Sequence, residues 1–403
     1  MNQIARLPRI PGKGRRALRV TMLGIRGFPN VQGGAEKHAE KLSLALAALG
    51  CEVEAIVRSG YGARRTAAWR NIKLSRLWAP RITGVEAFAH TFFGVLHAAL
   101  GRPDILHIHA IGPAFFTPLA RALGLRVVIT CHSRNYEHKK WGFVARSVLR
   151  LGEYAGMTFA NGRIAVSDGL AKNLSSAYGV PISTIPNGIE PPCRVASTEI
   201  LRVFGLAPNR YVLMVARIDD DKRQLDLIKA YAQLRIPDWQ LALVGDADYS
   251  GAYAREVAEA ARQTPGVVLL GHQSGSALAE LYTHAGCFVL PSRFEGQPIV
   301  VLEAVSYGLP VLLSDIAAHR ELAIPRARYF AVGDVERLAA HLKEICSASA
   351  ERMPAAEYAH LIARHDWQTI ARRTLAVYCD ALSGSKRAAL ADGAPGAKIG
   401  EPW

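Results

Sequence analysis

The chain has 403 residues, half of them apolar and 21% charged, with 21 prolines and 35 glycines. Collagen-like, low-complexity and disordered chains are excluded, and two globular domains are the expectation. Forty-nine Lys and Arg face 34 Asp and Glu, a net charge of +15; residues 1–187 carry +17 and residues 188–403 carry −2. The basicity of the first half implies an anionic partner.

In chain order, residues 1–17 form a basic arm (Arg6, Arg9, Lys13, Arg15, Arg16) without the apolar core of a secretory signal. A strand over Leu18–Ile25 leads to a helix over Ala35–Leu49, then a strand over Glu52–Val57 and a helix over Val85–Ala99. The apolar window Ala87–Leu100 is interrupted by His90 and His97. It falls short of the roughly 20 residues a membrane span requires, so no transmembrane helix is expected. The alternation continues with strands Ile105–His109, Val127–Cys131 and Ile164–Val166 and helices Ala114–Leu123, Phe143–Ala155 and Gly169–Tyr178; Ile182–Ile185 closes the sheet. Pro186-Asn187-Gly188-Ile189-Glu190-Pro191-Pro192 breaks the pattern and marks a domain boundary.

Beyond it the pattern restarts with strands Tyr211–Ala216, Gln240–Gly245, Val267–Leu270, Cys287–Leu290 and Val311–Ser314. The intervening helices are Gln224–Gln233, Tyr253–Arg262, Ala277–Ala285 and Ile299–Tyr307, and helices Val335–Ile345 and Thr369–Leu382 follow. Short β-branched runs alternating with helical segments give parallel sheets covered on both faces, hence an α/β chain of two tandem doubly wound domains facing across a cleft. The first domain spans 18–187 and the second 188–368, with 369–382 a final helix and 383–403 a disordered tail. Cys51, Cys131, Cys193, Cys287, Cys346 and Cys379 lie far apart, with no Cys-x-x-Cys pair, and read as buried thiols in a reducing compartment.

Three motifs carry chemistry. The first strand runs into a loop ending in Gly33-Gly34, where paired glycines before a helix let backbone N–H groups approach an anion. The G-x-G-x-x-G spacing and the P-loop lysine are missing, so neither fingerprint is met. The first strand of the second half delivers Arg217 and Lys222 to its C-terminal edge, a pair suited to gripping and neutralising a diphosphate. The alternative is a solvated run in which Asp219, Asp220 and Asp221 offset the two cations. A cationic clamp supplies what a metal would, so no metal is expected. The third motif places Glu295 in a loop and Glu303 in the second turn of a helix whose first position suits Pro298. Carboxylates accept from vicinal hydroxyls and free helix N–H groups bind phosphate, so this unit can read sugar and phosphate together.

Glycines before the first helix, Arg217 and Lys222 after a strand, and Glu295 and Glu303 with seven residues between them together resemble the family 4 glycosyltransferases of the GT-B fold. The resemblance covers roughly residues 18 to 382. It implies retaining, metal-independent transfer of a sugar from a nucleotide diphosphate donor, with no other cofactor. Arg217 and Lys222 would then hold the diphosphate, Glu303 the ribose hydroxyls and Glu295 the donor sugar, with Gly33 and Gly34 closing over the phosphates. Gln297, Ile299 and Val300 would complete the donor site, and His132 would contact the donor sugar or stabilise the transition state. Gly296-Gln297-Pro298 departs from the family pattern, Pro298 lacking an N–H, and Arg223 stands where the family commonly has glycine.

The stretch Gly24–Pro29 with Gly33-Gly34 is similar to a subgroup found in bacterial surface-polysaccharide assembly, which implies a glycan or polyprenyl-diphosphate-linked acceptor. Lys139, Lys140, Trp141, Arg146 and Arg150 form the expected patch for that acceptor or for an anionic membrane surface; a solvated helix face is the alternative. The expected location is the cytoplasm, including the inner face of the plasma membrane. A GT-B epimerase or phosphorylase is the rival enzyme. No zinc-finger, helix-turn-helix or RNA-binding signature supports a nucleic-acid partner.

Overall fold

The computed structural model describes residues 16–391 apart from 63–66, 81, 83–84, 138–141, 235, 237, 248–250 and 348–350. In the first half the elements are β1 (Arg19–Leu23), α1 (Gly34–Ala48), β2 (Glu52–Arg58), β3 (Ala68–Trp69), β4 (Ile72–Leu77), α2 (Val85–Gly101), β5 (Ile105–His109), α3 (Thr117–Ala122), β6 (Val127–Cys131), α4 (Phe143–Phe159), β7 (Gly162–Ala165), α5 (Asp168–Tyr178) and β8 (Ser183–Thr184). The second half contributes α6 (Glu199–Phe204), β9 (Tyr211–Val215), α7 (Gln224–Ala232), β10 (Gln240–Val244), α8 (Ala252–Gln263), β11 (Val267–Leu269), α9 (Gly275–His284), β12 (Cys287–Leu290), α10 (Ile299–Ser306), β13 (Val311–Ser314), α11 (Ala317–Arg320), β14 (Arg328–Phe330), α12 (Val335–Ser347), α13 (Ala355–Arg364) and α14 (Trp367–Ala391).

Strands such as Val127–Cys131 and Cys287–Leu290 are buried at every residue, as parallel strands covered by helices on both faces must be. The first sheet has the order β3-β4-β2-β1-β5-β6-β7-β8 and the second β11-β10-β9-β12-β13-β14. Every pair among these strands is parallel except β3 with β4. In each sheet the chain first winds to one side of its opening strand and then returns to the other. The strand order therefore reverses between β1 and β5 and between β9 and β12, and the crevice at such a reversal is where open α/β sheets bind ligands.

Of the six cysteines expected to be buried, Cys193, in the turn-rich stretch after the first domain, is exposed and Cys379 half-buried. Several elements were not foreseen. Residues 68–77 form a hairpin whose turn residues Arg70 and Asn71 both have positive φ (44° and 68°), the twist a two-residue hairpin needs. Arg76, standing where the alternation set by Ile72 and Leu74 calls for an apolar residue, breaks the period of β4. The short elements α6, α11, α13 and β14 also escape the sequence pattern. The final helix, expected to stop at Leu382, continues to Ala391 and so occupies the start of the segment read as a disordered tail. Residues 1–15 and 392–403 lie outside the described residues.

The chain crosses between the two sheets twice, and the crossings lie side by side. Ile189 donates its N–H to the His365 carbonyl at 2.9 Å, and His365 Nδ1 bonds the Asn187 carbonyl at 2.6 Å. Gly188 is pressed on Trp367 so closely that a Cβ there would come within 2.4 Å of the indole. After this point α14 packs on the first sheet, burying Ile370, Ala371, Leu375 and Tyr378 with Val20, Leu42 and Val128. The Tyr378 hydroxyl reaches His107 Nδ1 at 2.7 Å in the middle of β5. Tyr378→Phe should therefore lower unfolding stability by about 1–3 kcal/mol in urea titrations, because it strands a buried polar atom while leaving the ring in place.

Candidate active site

The second domain builds its part of the site from the two loops flanking its strand reversal. After β9 the Asp219 carboxylate accepts from Asp221 N at 3.1 Å, making a tight turn over Asp220–Lys222. Gln224 at the start of α7 donates to the Arg217 carbonyl at 2.7 Å and folds the loop back on itself. Across the reversal, Arg293 donates its backbone N–H to the Asp221 carbonyl at 2.8 Å and forms an ion pair with the buried Asp221 carboxylate. Asp219 and Asp221 thus shape and join the loops. Arg217 stands half-buried at the end of β9.

Lys222 Nζ donates to Glu295 Oε1 at 2.5 Å, and Ser292 Oγ donates to the same oxygen at 2.8 Å. Burial opposes ionisation of Glu295, but the Lys222 ammonium and the Ser292 hydroxyl outweigh it and hold the carboxyl below its ordinary range. Glu303 on α10 accepts from the Tyr282 hydroxyl at 3.1 Å. Pro298 is the N-cap residue rather than the first helical residue, and α10 opens at Ile299. The Ile299 side chain is buried and Val300 packs against the core, so these two residues can offer a ligand only their backbone N–H groups.

The first domain contributes the loop after β1 and the ends of β5 and β6. Gly33 has φ 145° and carries no side-chain cap, and Gly34 is exposed at the start of α1. A Cβ on Gly33 would lie 2.1 Å from the Glu36 carboxylate, which itself accepts from Arg26 Nε at 3.0 Å. Gly33 is therefore required by close packing and by its positive φ at a helix N-terminus facing the cleft, whereas a Cβ on Gly34 would meet open space.

Among the described residues, these contacts help to close the cleft. Lys37 on α1 forms an ion pair with Glu303 on α10. Gln32 and Asp246 exchange hydrogen bonds, Gln32 Nε2 to the Asp246 carbonyl at 3.4 Å and Asp246 N to Gln32 Oε1 at 3.3 Å. Gly296 meets the backbone of His132 so tightly that a Cβ would fall 1.7 Å from the His132 carbonyl oxygen. Gln297 then reaches the interdomain crossing, accepting from Asn187 N at 2.5 Å and offering its carbonyl to Asn187 Nδ2 at 3.0 Å.

His132 belongs to a nest of imidazoles. Its Nε2 lies 3.2 Å from His109 Nδ1, its ring stands edge-on to His38 at 4.9 Å, and His38 Nδ1 meets Asn187 Oδ1 at 2.9 Å. Burial first, then the neighbouring imidazoles, push His132 and His107 down to about 3 and hold His38 and His109 well below the usual value. All four are neutral at physiological pH. One ring nitrogen from each of His38, His109 and His132 lies within 4.8 Å of the others, the metal-capable grouping among the described residues.

The geometry brings Lys222 to Glu295, Gly296 to His132, Gln297 to Asn187, and Glu303 to the helix that follows Gly33 and Gly34. Lys139, Lys140 and Trp141 lie outside the described residues. Arg146 is half-buried, and Arg150 is exposed with its guanidinium 5.4 Å from the Tyr136 ring. Arg223, where glycine was the family expectation, takes φ 55° and pairs with Asp226 at 2.5 Å. Sequence reasoning missed Gln32, Lys37, His38, His109, Asp246 and Tyr282. Of these, Lys37 and His38 stand in the first turns after the glycine pair, a position that could have singled them out.

Two doubly wound domains whose reversal loops meet across a cleft define the GT-B class of glycosyltransferase folds. The family model described as Glycosyltransferase Family 4 matches residues 32–191, and the model described as Glycosyl transferases group 1 matches residues 198–361. The chain belongs to these GT-B, family 4-type glycosyltransferases. It is 27% identical to glycogen synthase of Mycobacterium tuberculosis over 92% of this chain and 96% of that one. It is also 27% identical to the lipopolysaccharide 1,6-galactosyltransferase of Salmonella typhimurium, over 69% of this chain and 78% of the relative. The solved structure of Anabaena HepE in complex with UDP-glucose superposes with a TM-score of 0.71 at 18% identity, covering 91% of this chain and all of the other.

The nest of neutral histidines sets an acid limit on stability. An unfolded imidazole takes up a proton near pH 6.5, whereas the buried ones resist, so the unfolded state binds more protons as pH falls. Stability should be fully present above about pH 6.5 and decline below it, by up to about 1.4 kcal/mol per pH unit for each such histidine. Thermal melts from about pH 7.5 to about 5.5 should show a steep fall in Tm; a flat profile would contradict burial of these rings in the neutral form.

Proposed function

We propose that this glycosyltransferase moves a sugar from a nucleotide diphosphate donor to a glycan or polyprenyl-diphosphate-linked acceptor, with retention and without a metal, in bacterial surface-polysaccharide assembly. The observation that carries this reading is the Lys222–Glu295 pair at the strand reversal of the second domain, with Arg217 on the same loop and Glu303 opposite Gly33 and Gly34. Cations at a strand reversal suit a diphosphate, and adjacent carboxylates suit sugar hydroxyls. The donor seen with HepE and the chemistry named for the lipopolysaccharide relative point the same way.

In this mechanism Arg217 and Lys222 neutralise charge on the departing diphosphate, and the N–H groups of Ile299, Val300 and the first turn of α1 add donors. Glu303 takes the ribose hydroxyls, exchanging Lys37 for them. Glu295 orients the donor sugar, held ionised by Lys222. The bond from the anomeric carbon to the phosphate oxygen breaks to an oxocarbenium-like state, and the acceptor oxygen bonds to that carbon on the same face. The acceptor proton passes to the departing diphosphate. His132, neutral at working pH, acts as a hydrogen-bonding group toward the sugar rather than as a cation. Domain closure through Gly296 and His132 excludes the water that would hydrolyse the donor.

Arg217→Ala and Lys222→Ala should each lower kcat by about a hundredfold or more, the usual cost of removing a group that stabilises transition-state charge. Near-normal transfer by either variant would remove the clamp from the mechanism. A thermal-shift panel of UDP, GDP, dTDP and their sugars should find a ligand that stabilises the chain by about 2.7 kcal/mol at about 100 times its Kd. Absence of any shift would overturn the nucleotide-sugar reading.

A further inference from the structure

Helix α2 is inside-out. Its residues turned into the protein are Glu86, His90, Thr91, Gly94, Val95 and Ala98. Glu86 binds the Arg58 guanidinium at 3.3 Å, and Gly94 lies so near Leu23 that a Cβ would come within 2.4 Å of its side chain. The opposite face carries Val85, Phe88, Phe92, Phe93, Leu96 and Leu100, which are 36–88% exposed. A helix on the surface of a water-soluble domain has the reverse arrangement, and monomeric soluble proteins rarely leave such a continuous apolar stripe uncovered.

The stripe is part of a larger face. Trp78 and Ile82 precede it, 67% and 59% exposed. Phe88 packs at a tilt against Phe115 and Phe116, ring centroids 5.3 and 4.5 Å apart, and α4 packs on that same turn. The start of α4 then presents Phe143 and Val144, 85% and 74% exposed. Both helices follow strands at the C-terminal edge of the first sheet, the edge where Gly33 and His132 line the cleft.

Charge identifies the occupant. Apart from Arg58, whose guanidinium Glu86 holds, residues 55–85 contain six Lys and Arg and no Asp or Glu, and neither 87–103 nor 138–152 contains a single Asp or Glu. The acids that do lie on these helices, Glu86 and Glu153, are buried. Two copies of this chain meeting through the face would oppose cations to cations, whereas a bilayer with anionic head groups offers both an apolar interior and opposite charge. None of the helices described is long and apolar enough to cross a membrane, so α2 would lie along the interface.

We propose that the outward face of α2, with Trp78 and the start of α4, inserts into an anionic membrane surface and sets the cleft edge against the bilayer. This deepens the proposed function and rests on it for the acceptor, since a polyprenyl-diphosphate acceptor would reach the cleft directly from that surface. It also moves the expected contact from the patch of Lys139, Lys140, Trp141, Arg146 and Arg150 to an apolar face on α2 and the start of α4.

The test is flotation of the full chain with vesicles of phosphatidylcholine containing phosphatidylglycerol, and of phosphatidylcholine alone, across a salt series. A triple variant, Phe93→Asp, Leu100→Asp and Phe143→Asp, is compared with the parent, and the single Leu100→Asp variant, at an 88% exposed position, serves should the triple fail to fold. Circular dichroism and Tm report folding. The parent should bind the anionic vesicles with a residual salt-resistant component, and the triple variant should bind at least about tenfold more weakly, which is about 1.4 kcal/mol. Failure of the parent to float with either vesicle at low salt overturns the proposal, as does parent-like binding by the folded triple variant. A parent dimer that the aspartates dissolve would give the face to a second copy. Turnover of the nucleotide sugar is followed separately without vesicles; loss of turnover with vesicle binding intact would strike the function and leave the docking face standing.

Discussion

The site depends on a carboxylate that could not be where it is alone. Glu295 sits in the loop that follows a fully buried strand, and ionisation there is opposed by desolvation until Lys222 stands 2.5 Å away. Each side chain thereby fixes the loop that carries the other. Arg293 and Asp221 repeat the arrangement next door, joining the same two loops. A rigid, charged floor results at the strand reversal, with Arg217 on its rim.

The first domain meets that floor through contacts that tolerate almost no change of shape. Gly296 accepts the His132 backbone where any side chain would collide with it, and Gln297 continues into the crossing segment at Asn187. The same asparagine holds His38, which stands edge-on to His132. Donor loop, interdomain crossing and imidazole nest are therefore one connected set of contacts. A shift in the angle between the domains would be felt at His132 without any residue near it being changed. The Lys37–Glu303 ion pair belongs to the same closure and occupies the carboxylate assigned to the ribose.

The outer surface follows a different logic. On α2 the packing that a helix ordinarily gives to leucine and phenylalanine is given to Glu86, His90 and Gly94, leaving the aromatic residues outward. The two acids on α2 and α4, Glu86 and Glu153, are buried, so the outward side of these helices carries no carboxylate.

The alternation of β-branched runs with helical segments was enough to read two doubly wound domains, because buried parallel strands such as Val127–Cys131 and Cys287–Leu290 are apolar runs interrupted only by Thr130. Arg217, Lys222, Glu295 and Glu303 were legible for a related reason: a strand end followed by a loop and a helix start is a local pattern. The hairpin β3-β4 was not, since β3 is only two residues long and Arg76 breaks the period of β4, nor was the last stretch of α14. The inversion of α2 was hidden too, because an apolar helix reads alike whichever face is covered.

What the order of residues determined by itself was therefore everything that local sterics and hydrophobic period dictate: the elements, their alternation, and the charged residues at strand ends. What only the tertiary structure decided was partnership. Lys37 meets Glu303 across 266 residues, Asn187 meets Gln297 across 110, and Tyr378 meets His107 across 271. Contacts over such separations leave no periodic trace in a single chain. They arise because two sheets, each with its reversal at the same edge, are brought face to face and buried polar groups must then find partners.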